Sequence, residues 1–341
     1  MAQPEVGNER AIGKGGPTAN PAEALAYGKG MVLVSAPPRL PVPVGRPLTR
    51  ALYVDLHTHS TASDGTDAPA EVVRRAKRAG LSAVALTDHD TTEGCAEAAA
   101  EARKLGIEFL PGIEVSCLYP RPGVIHMLGY GVDVDSPQLQ SFTARVQGGR
   151  QLRNERLLEK LQAANLDITM DELQQISGGG QLGRPHFAKL LFLKGYVTHP
   201  AQAFKHYLGN TGDFKIEKDE PTPAEAIAAI HDAGGVAVLA HPNQLRKQNY
   251  AQLQAEVRNL ADAGLDGLEC IYNDHRESFI HELKQLCKAL DLLPTGGSDY
   301  HGSSKKFITL GRVGTRRRVP RKLYDALQTR IRARRAANAA A

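Results

Sequence analysis

Histidines and carboxylates recur along this chain in a pattern suited to metal chemistry. His57-Thr58-His59 opens it; Asp64, His89 (between Asp88 and Asp90), Glu114, His126 and His241 follow, and Asp299-Tyr300-His301 closes it. On extended backbone, residues two apart point to the same side, so His57 and His59 can meet one ion. Six imidazoles and three carboxylates exceed the roughly four to six ligands that one ion takes, and imply two or three metals. No thiolate is among them, which points to Zn, Mn or Fe rather than a Cys-bound structural zinc. Closely spaced cations need an anion between them, and Glu114 can bridge. A water shared by such ions is acidified into a nucleophile, while the remaining charge binds phosphoryl oxygens. A single histidine at a strand end serves packing as readily as coordination. Half of the twelve histidines falling at such ends, with acids interleaved, is not a packing pattern. His199, His206, His231, His275 and His281 lie outside it and are expected at the surface.

The elements that must position these residues alternate. Short apolar runs at 51–56, 82–86, 108–110, 124–128, 236–240, 266–271 and 292–295 read as strands. Helical stretches at 69–79 and 93–105 end at Gly80 and Gly106, and Thr222-Pro223-Ala224-Glu225 is a capping box that opens another helix. This rhythm implies βα units and a mostly parallel sheet, whose strand C-termini carry the site. Residues 150–208 read instead as helical, split by Gly178-Gly179-Gly180. The expected organisation is an α/β body over 51–148 and 222–315, interrupted by a helical insertion over 149–221 and followed by a basic segment over 316–341. Residues 1–50, with eight Pro and seven Gly, read as a disordered leader.

Composition excludes several classes. The 341 residues are 42% hydrophobic and 23% charged, which suits a globular protein and not a fibrous or wholly disordered one. No apolar run approaches the roughly 20 residues needed to cross a bilayer, so no membrane association is expected. The net charge of +5 is local: nine Lys or Arg against one acid lie between 316 and 335, and the rest of the chain is slightly acidic. Cys95, Cys117, Cys270 and Cys287 are too sparse for a disulfide scaffold. They suit buried, reduced thiols in the cytoplasm.

Taken in order, Asp55-Leu56-His57-Thr58-His59-Ser60, Thr87-Asp88-His89-Asp90, Pro111-Gly112-Ile113-Glu114 and Gly297-Ser298-Asp299-Tyr300-His301 resemble the motifs of the PHP (polymerase and histidinol phosphatase) superfamily. Within it, the chain is most similar to the group of nucleoside 3′,5′-bisphosphate phosphatases and 5′-to-3′ exoribonucleases. The resemblance spans about residues 52–315. It implies a distorted seven-stranded (β/α) barrel with a trinuclear site, commonly Mn, sometimes Zn or Fe. Carried over, His57, His59, Glu114 and Asp299 hold a first metal, Asp64, His89 and His301 a second, and Glu114, His126 and His241 a third. The group also carries a helical insertion that lids the site. Arg184-Pro185-His186 matches its substrate-contacting motif, and Arg153-Asn154 matches more weakly. Glu269, in Leu268-Glu269-Cys270-Ile271-Tyr272, departs from the group's usual strand and is not assigned to a metal.

The expected function is metal-dependent phosphate-ester hydrolysis on a small nucleotide, namely a nucleoside 3′,5′-bisphosphate or the 5′ end of a short RNA. Two alternatives compete. A histidinol-phosphate-type phosphatase would use the same barrel, though the insertion with Arg184 and His186 argues against it. A non-catalytic nucleic-acid-binding protein would use the basic tail as a phosphate-contacting arm, though it would have no need of a complete ligand set.

Overall fold

The computed structural model describes residues 52–120, 122–178, 180–209, 214, 216 and 219–340. The expected leader lies outside them. Eight strands follow in chain order: β1 (Tyr53–Asp55), β2 (Ala83–Leu86), β3 (Glu108–Cys117), β4 (Ile125–Tyr130), β5 (Val236–Leu239), β6 (Gly267–Ile271), β7 (Leu293–Gly296) and β8 (Val319–Pro320). They hydrogen-bond in the order β7-β6-β5-β4-β3-β2-β1-β8. Helices α1 (Pro69–Arg78) and α2 (Cys95–Leu105) cross over between β1, β2 and β3. Four more form the insertion: α3 (Pro137–Ala163), α4 (Met170–Ser177), α5 (Arg184–Leu193) and α6 (Pro200–His206). Helix α7 (Pro223–Asp232) leads into β5, α8 (Tyr250–Asp262) and α9 (Glu277–Ala289) connect β5, β6 and β7, and α10 (Arg321–Ala340) ends the chain.

β2, β5 and β6 are buried along their whole length, as strands covered on both faces must be, which is why they read as continuous apolar runs rather than alternating ones. β1–β2–β3 and β5–β6–β7 are parallel, but β4 runs antiparallel to both β3 and β5. The link between β3 and β4 covers only 118–124, and a parallel crossover needs about a dozen residues or more. The sheet curls until its ends meet: Thr58 bridges Tyr300 in parallel, His59 N donates to Tyr300 O (2.8 Å) and Asp299 N donates to His57 O (2.9 Å). Gly297 permits this closure, since a Cβ there would lie 2.3 Å from His57 Cβ. The seven-stranded α/β barrel expected from the sequence is present, with the two-residue β8 added against β1.

The insertion carries its own apolar cluster, built on Leu157, Leu161, Ile168, Leu173, Phe187 and Leu191. It joins the barrel through α3, a continuous 27-residue helix capped by Ser136, so the expected boundary at 148/149 falls inside a helix. Capping boxes at Thr169/Glu172 and Thr222/Glu225 start α4 and α7.

The basic segment closes the end of the barrel core. Leu323, Tyr324, Leu327 and Ile331 of α10 are buried in the main core. Gly131, at φ 67°, lets Ile331 approach: a Cβ there would sit 2.5 Å from Ile331 Cδ1. Several of its arginines are engaged within the chain, while Arg316 and Arg332 are exposed. Arg321 pairs with Glu108 and Asp325, Arg330 and Arg334 reach Asp266 Oδ1 at 3.5 and 2.8 Å, and Arg335 donates to Gly131 O. Arg318 lies over the Tyr53 ring and donates to Ala79 O. These cations are therefore not a free arm for nucleic acid. The positive run arises because one face of α10 packs on the barrel and the flanking arginines meet acids and carbonyls there. Leu327→Ala should cost about 2–5 kcal/mol of unfolding free energy, read as a lower denaturation midpoint, and truncation before 316 should prevent cooperative folding. A truncated chain that unfolded with wild-type cooperativity would contradict this packing.

Candidate metal centre

Strand ends and two strand interiors bring the nine predicted residues to one place. His57 and His59 follow β1, Asp64 sits on the loop beyond, His89 follows β2, Glu114 lies within β3, His126 within β4, His241 follows β5, and Asp299 and His301 follow β7. Glu114 is 1% exposed and stands at the middle. Its Oε1 lies 2.9 Å from both His126 Nδ1 and His241 Nε2. Its Oε2 lies 3.1 Å from His89 Nδ1, 3.2 Å from His59 Nε2 and 3.4 Å from His57 Nε2. Asp299 Oδ1 lies 3.5, 3.4 and 3.4 Å from His57 Nε2, His59 Nε2 and His301 Nδ1. Asp64 Oδ1 is 3.2 Å from His301 Nε2. Donor atoms of His59, Asp64, His89 and His301 lie within 4.8 Å of one another, as do those of His57, Glu114 and His241, of His57, His59 and Asp299, and of His89, Glu114 and His126.

The donors fit divalent cations. His57 Nε2, His59 Nε2, His89 Nδ1, Asp64 Oδ1 and Glu114 Oε2 are buried without a hydrogen-bond partner, an arrangement that costs free energy unless a cation meets the lone pairs. All are nitrogen or oxygen, the set that Zn, Mn and Fe accept.

Charge reinforces the geometry. Burial alone would raise the Glu114 carboxyl, but His89, His57 and His126 hold it well below the usual carboxylate range. Asp64 is likewise held low by His301 and His89, and Asp299 by Lys305, His301 and His57, each against the opposing effect of burial. Burial pushes His59 down, yet the carboxylates of Asp299 and Glu114 beside its ring raise it to about 9. At His89 burial wins and the ring falls to about 3.

A shell of partners orients the ligands. Glu269 Oε1 accepts from His57 Nδ1 at 3.0 Å, which turns Nε2 inward, while Oε2 accepts from His241 N at 2.9 Å. Asp299 Oδ2 receives Tyr272 Oη (2.9 Å) and Lys305 Nζ (2.7 Å), leaving Oδ1 to face the histidines. Asp88 accepts from Ser60 N, Ser60 Oγ and Ser63 Oγ at 2.6–2.7 Å and so pins the loop that carries Asp64. Asp90 accepts from Ser116 N and from Arg150 of α3. Asp90, His241 and Asp299 hold positive φ of 54°, 27° and 55°, strain of the kind that concentrates at functional sites.

The residues expected to contact substrate lie on the insertion. Arg184 begins α5 and its Nη1 donates to Leu208 O at 3.2 Å. His186 Nδ1 accepts from Gly183 N at 3.0 Å, so its proton sits on Nε2. Asn154 Nδ2 donates to Leu182 O, and its Oδ1 has no partner. Arg153 Nε and Nη1 are buried without partners, and burial together with the charges of Arg150 and Arg184 pulls the guanidinium down to about 9. Glu220 and Asp90 act in the opposite sense, and Arg150 is paired with Asp90.

Sequence reasoning passed over Arg150, Tyr272 and Lys305. Arg150 is one helical turn before Arg153, Lys305 four residues past His301 and Tyr272 three past Glu269, so proximity to assigned residues was the available signal. Two surface expectations are corrected. His275 is 1% exposed, bonded to Cys270 O (2.9 Å) and Asn243 Oδ1 (3.0 Å). The turn after β6 folds its ring back under the strand, and no periodic pattern announces such a turn. His231 is half-buried against Asp266 at 2.8 Å. His199, His206 and His281 are exposed as expected.

Residues 55–178 match the PHP domain. A 5′-3′ exoribonuclease of Haemophilus influenzae is 34% identical over 250 residues, which cover 72% of this chain and 89% of that protein. The chain belongs to the PHP family. A 3′,5′-nucleoside bisphosphate phosphatase of Chromobacterium violaceum is 30% identical over 279 residues, 82% of this PHP chain and 97% of that one. Among solved structures, a candidate metal-dependent phosphoesterase from Bifidobacterium adolescentis superposes with a TM-score of 0.72 at 30% identity, covering 82% and 96% of the two chains. This PHP protein is a metal-dependent phosphoesterase. No helix among the described residues is long and apolar enough to cross a membrane.

The raised His59 value sets a pH dependence. Its proton stabilises the metal-free fold fully below its unfolded value of ~6.5, and that contribution is lost as pH rises towards about 9. A metal must displace the same proton. Metal affinity should therefore climb about tenfold per pH unit for each proton released, and His57, which Glu269 and Glu114 hold well above its usual value against the opposing effect of burial, adds to the same rise. Metal-buffered titrations at pH 6.5 to 9.5 measure this, and a flat or falling affinity would refute it.

Proposed function

We propose that this PHP protein hydrolyses a phosphate ester of a small nucleotide, a nucleoside 3′,5′-bisphosphate or the 5′ end of a short RNA, at a trinuclear centre. The observation that carries the reading is Glu114, whose two oxygens face different histidines: Oε1 meets His126 and His241, and Oε2 meets His57, His59 and His89. A carboxylate so placed suits a bridge. In this assignment His57, His59, Glu114 and Asp299 hold the first ion, Asp64, His89 and His301 the second, and Glu114, His126 and His241 the third. Manganese suits the hard oxygen and imidazole donors, with zinc or iron as the other choices. Such ions supply Lewis-acid charge for phosphoryl oxygens and acidify water.

The chain's own residues bind and orient. Arg153 and Arg184 offer guanidinium groups to a second phosphate, and His186 Nε2 adds a donor. The insertion 149–221 acts as the lid over the barrel of 51–148 and 222–315, and 316–341 closes the opposite end. The names of the relatives support a nucleotide substrate. A slightly acidic body, with Arg321, Arg330 and Arg334 of the tail paired to acids, favours a small substrate over a long polyanion. Four buried, free thiols suit the cytoplasm.

Purified protein supplied with Mn²⁺ should turn over adenosine 3′,5′-bisphosphate or 5′-phosphorylated oligomers, and the ratio of the two rates identifies the main substrate. Hydrolysis of neither would end the reading. Glu114→Gln should lose more than one metal equivalent and the phosphatase activity together, measured by elemental analysis beside a kinetic assay. Retention of the full metal complement would remove Glu114 from the bridge.

A further inference from the structure

Between the barrel rim and the insertion lies a cavity of about 490 Å³. Ala62, Thr91 and Glu93 form its barrel side, and α3, α4 and the loop before α5 form the other. It adjoins the metal centre through the chain itself: Ala62 lies between His59 and Asp64, and Thr91 two residues after His89. Its size falls in the roughly 300–1,000 Å³ range of small-molecule sites.

Its lining is unusually rich in amides, with Gln147, Gln151, Asn154, Gln174 and Gln181 all present. Two are committed elsewhere: Gln147 Nε2 donates to Asp90 O and Gln151 Nε2 to Glu155 Oε1. Asn154 is different. It is 3% exposed, and because Leu182 O can only accept, the amide nitrogen must face it. Asn154 Oδ1 is thereby fixed as an acceptor, and it has no partner. Gln181 Oε1 is a second unpartnered acceptor, on a loop tied to the rim by Gln181 N donating to Ala62 O at 3.2 Å. Glu93 and Glu155 line the cavity against the single cation Arg150, so it does not attract phosphate. Met170 adds a soft apolar wall.

We propose that this cavity is a nucleobase subsite, in which Asn154 Oδ1 and Gln181 Oε1 accept hydrogen bonds from the exocyclic amino group of adenine or cytosine. The inference rests on the nucleotide reading above and deepens it. Uracil has no amino group and turns carbonyl oxygens towards the same acceptors, which leaves them unsatisfied.

The test uses the metal-loaded full chain with the 3′,5′-bisphosphates of adenosine, cytidine and uridine and the base-free sugar bisphosphate, together with equilibrium binding of the adenosine and uridine 5′-monophosphates. Adenosine and cytidine should exceed uridine by about tenfold in kcat/KM, mainly through KM, and Asn154→Leu should bring that ratio close to one. Gln181→Ala, on a half-buried loop position, should lower the ratio and guards against misfolding of the buried variant; metal content is checked in both. Hydrolysis of all substrates at equal efficiency would overturn the subsite and leave the nucleotide reading standing. Absence of all hydrolysis, with adenosine monophosphate still bound more tightly than uridine monophosphate and Asn154→Leu abolishing the difference, would overturn the reading and uphold the subsite. Neither hydrolysis nor a binding preference would overturn both.

Discussion

A carboxylate sunk among imidazoles is costly to bury unless its charge is answered on every side, and Glu114 is answered by five histidines. Those histidines come from three strand ends, two of them after β1, and one strand interior, so the barrel must hold four separate backbones in register. The buried anion thus sets the geometric tolerance of the whole fold. It also explains why residues outside the ligand set are charged and buried in turn. Glu269 must turn His57, Tyr272 and Lys305 must turn Asp299, and Asp88 must hold the Asp64 loop.

The two halves of the molecule divide the work by kind of chemistry. The barrel mouth gathers acceptor atoms, nitrogen lone pairs and carboxylate oxygens, which attract cations. The insertion gathers donors, with Arg150, Arg153 and Arg184 near one another. In the proposed reaction a phosphate ester between them would meet metal charge from the barrel and guanidinium charge from the insertion. The tie between the halves is Arg150 on α3, bound to Asp90, the residue after the ligand His89. A shift of α3 is therefore felt at the loop that presents His89.

Much of this arrangement was legible in the residues. The candidate ligands stood out because short apolar runs are followed by His or Asp where a loop would ordinarily carry Gly, Asn or Ser. Capping chemistry located α7 through Thr222 and Glu225, and Gly106 located the end of α2. Three things were not legible, each for a physical reason. The reversal of β4 depends on the length of a connection, not on the character of the strand. The role of the basic tail depends on which acids it meets, and Glu108 and Asp266 are remote in the chain. The burial of His275 depends on a turn without periodicity. Local pattern reports what an element is, while partners distant in sequence decide what it touches.

The barrel closes where the segment after β1 meets the segment after β7, and Asp55 fastens Ser298 across 243 positions of sequence. During synthesis, His57 and His59 leave the ribosome long before Asp299 and His301 exist to face them. The growing chain can therefore carry no complete centre, and the last fifty residues, which also bring the helix that seals the core, must emerge before the ligands converge. Contacts of such long range make assembly slow and cooperative. Ions held by His57, His59 and Asp299 in the proposed assignment would join the first strand of the barrel to the last, so occupancy of the centre and stability of the barrel would be linked.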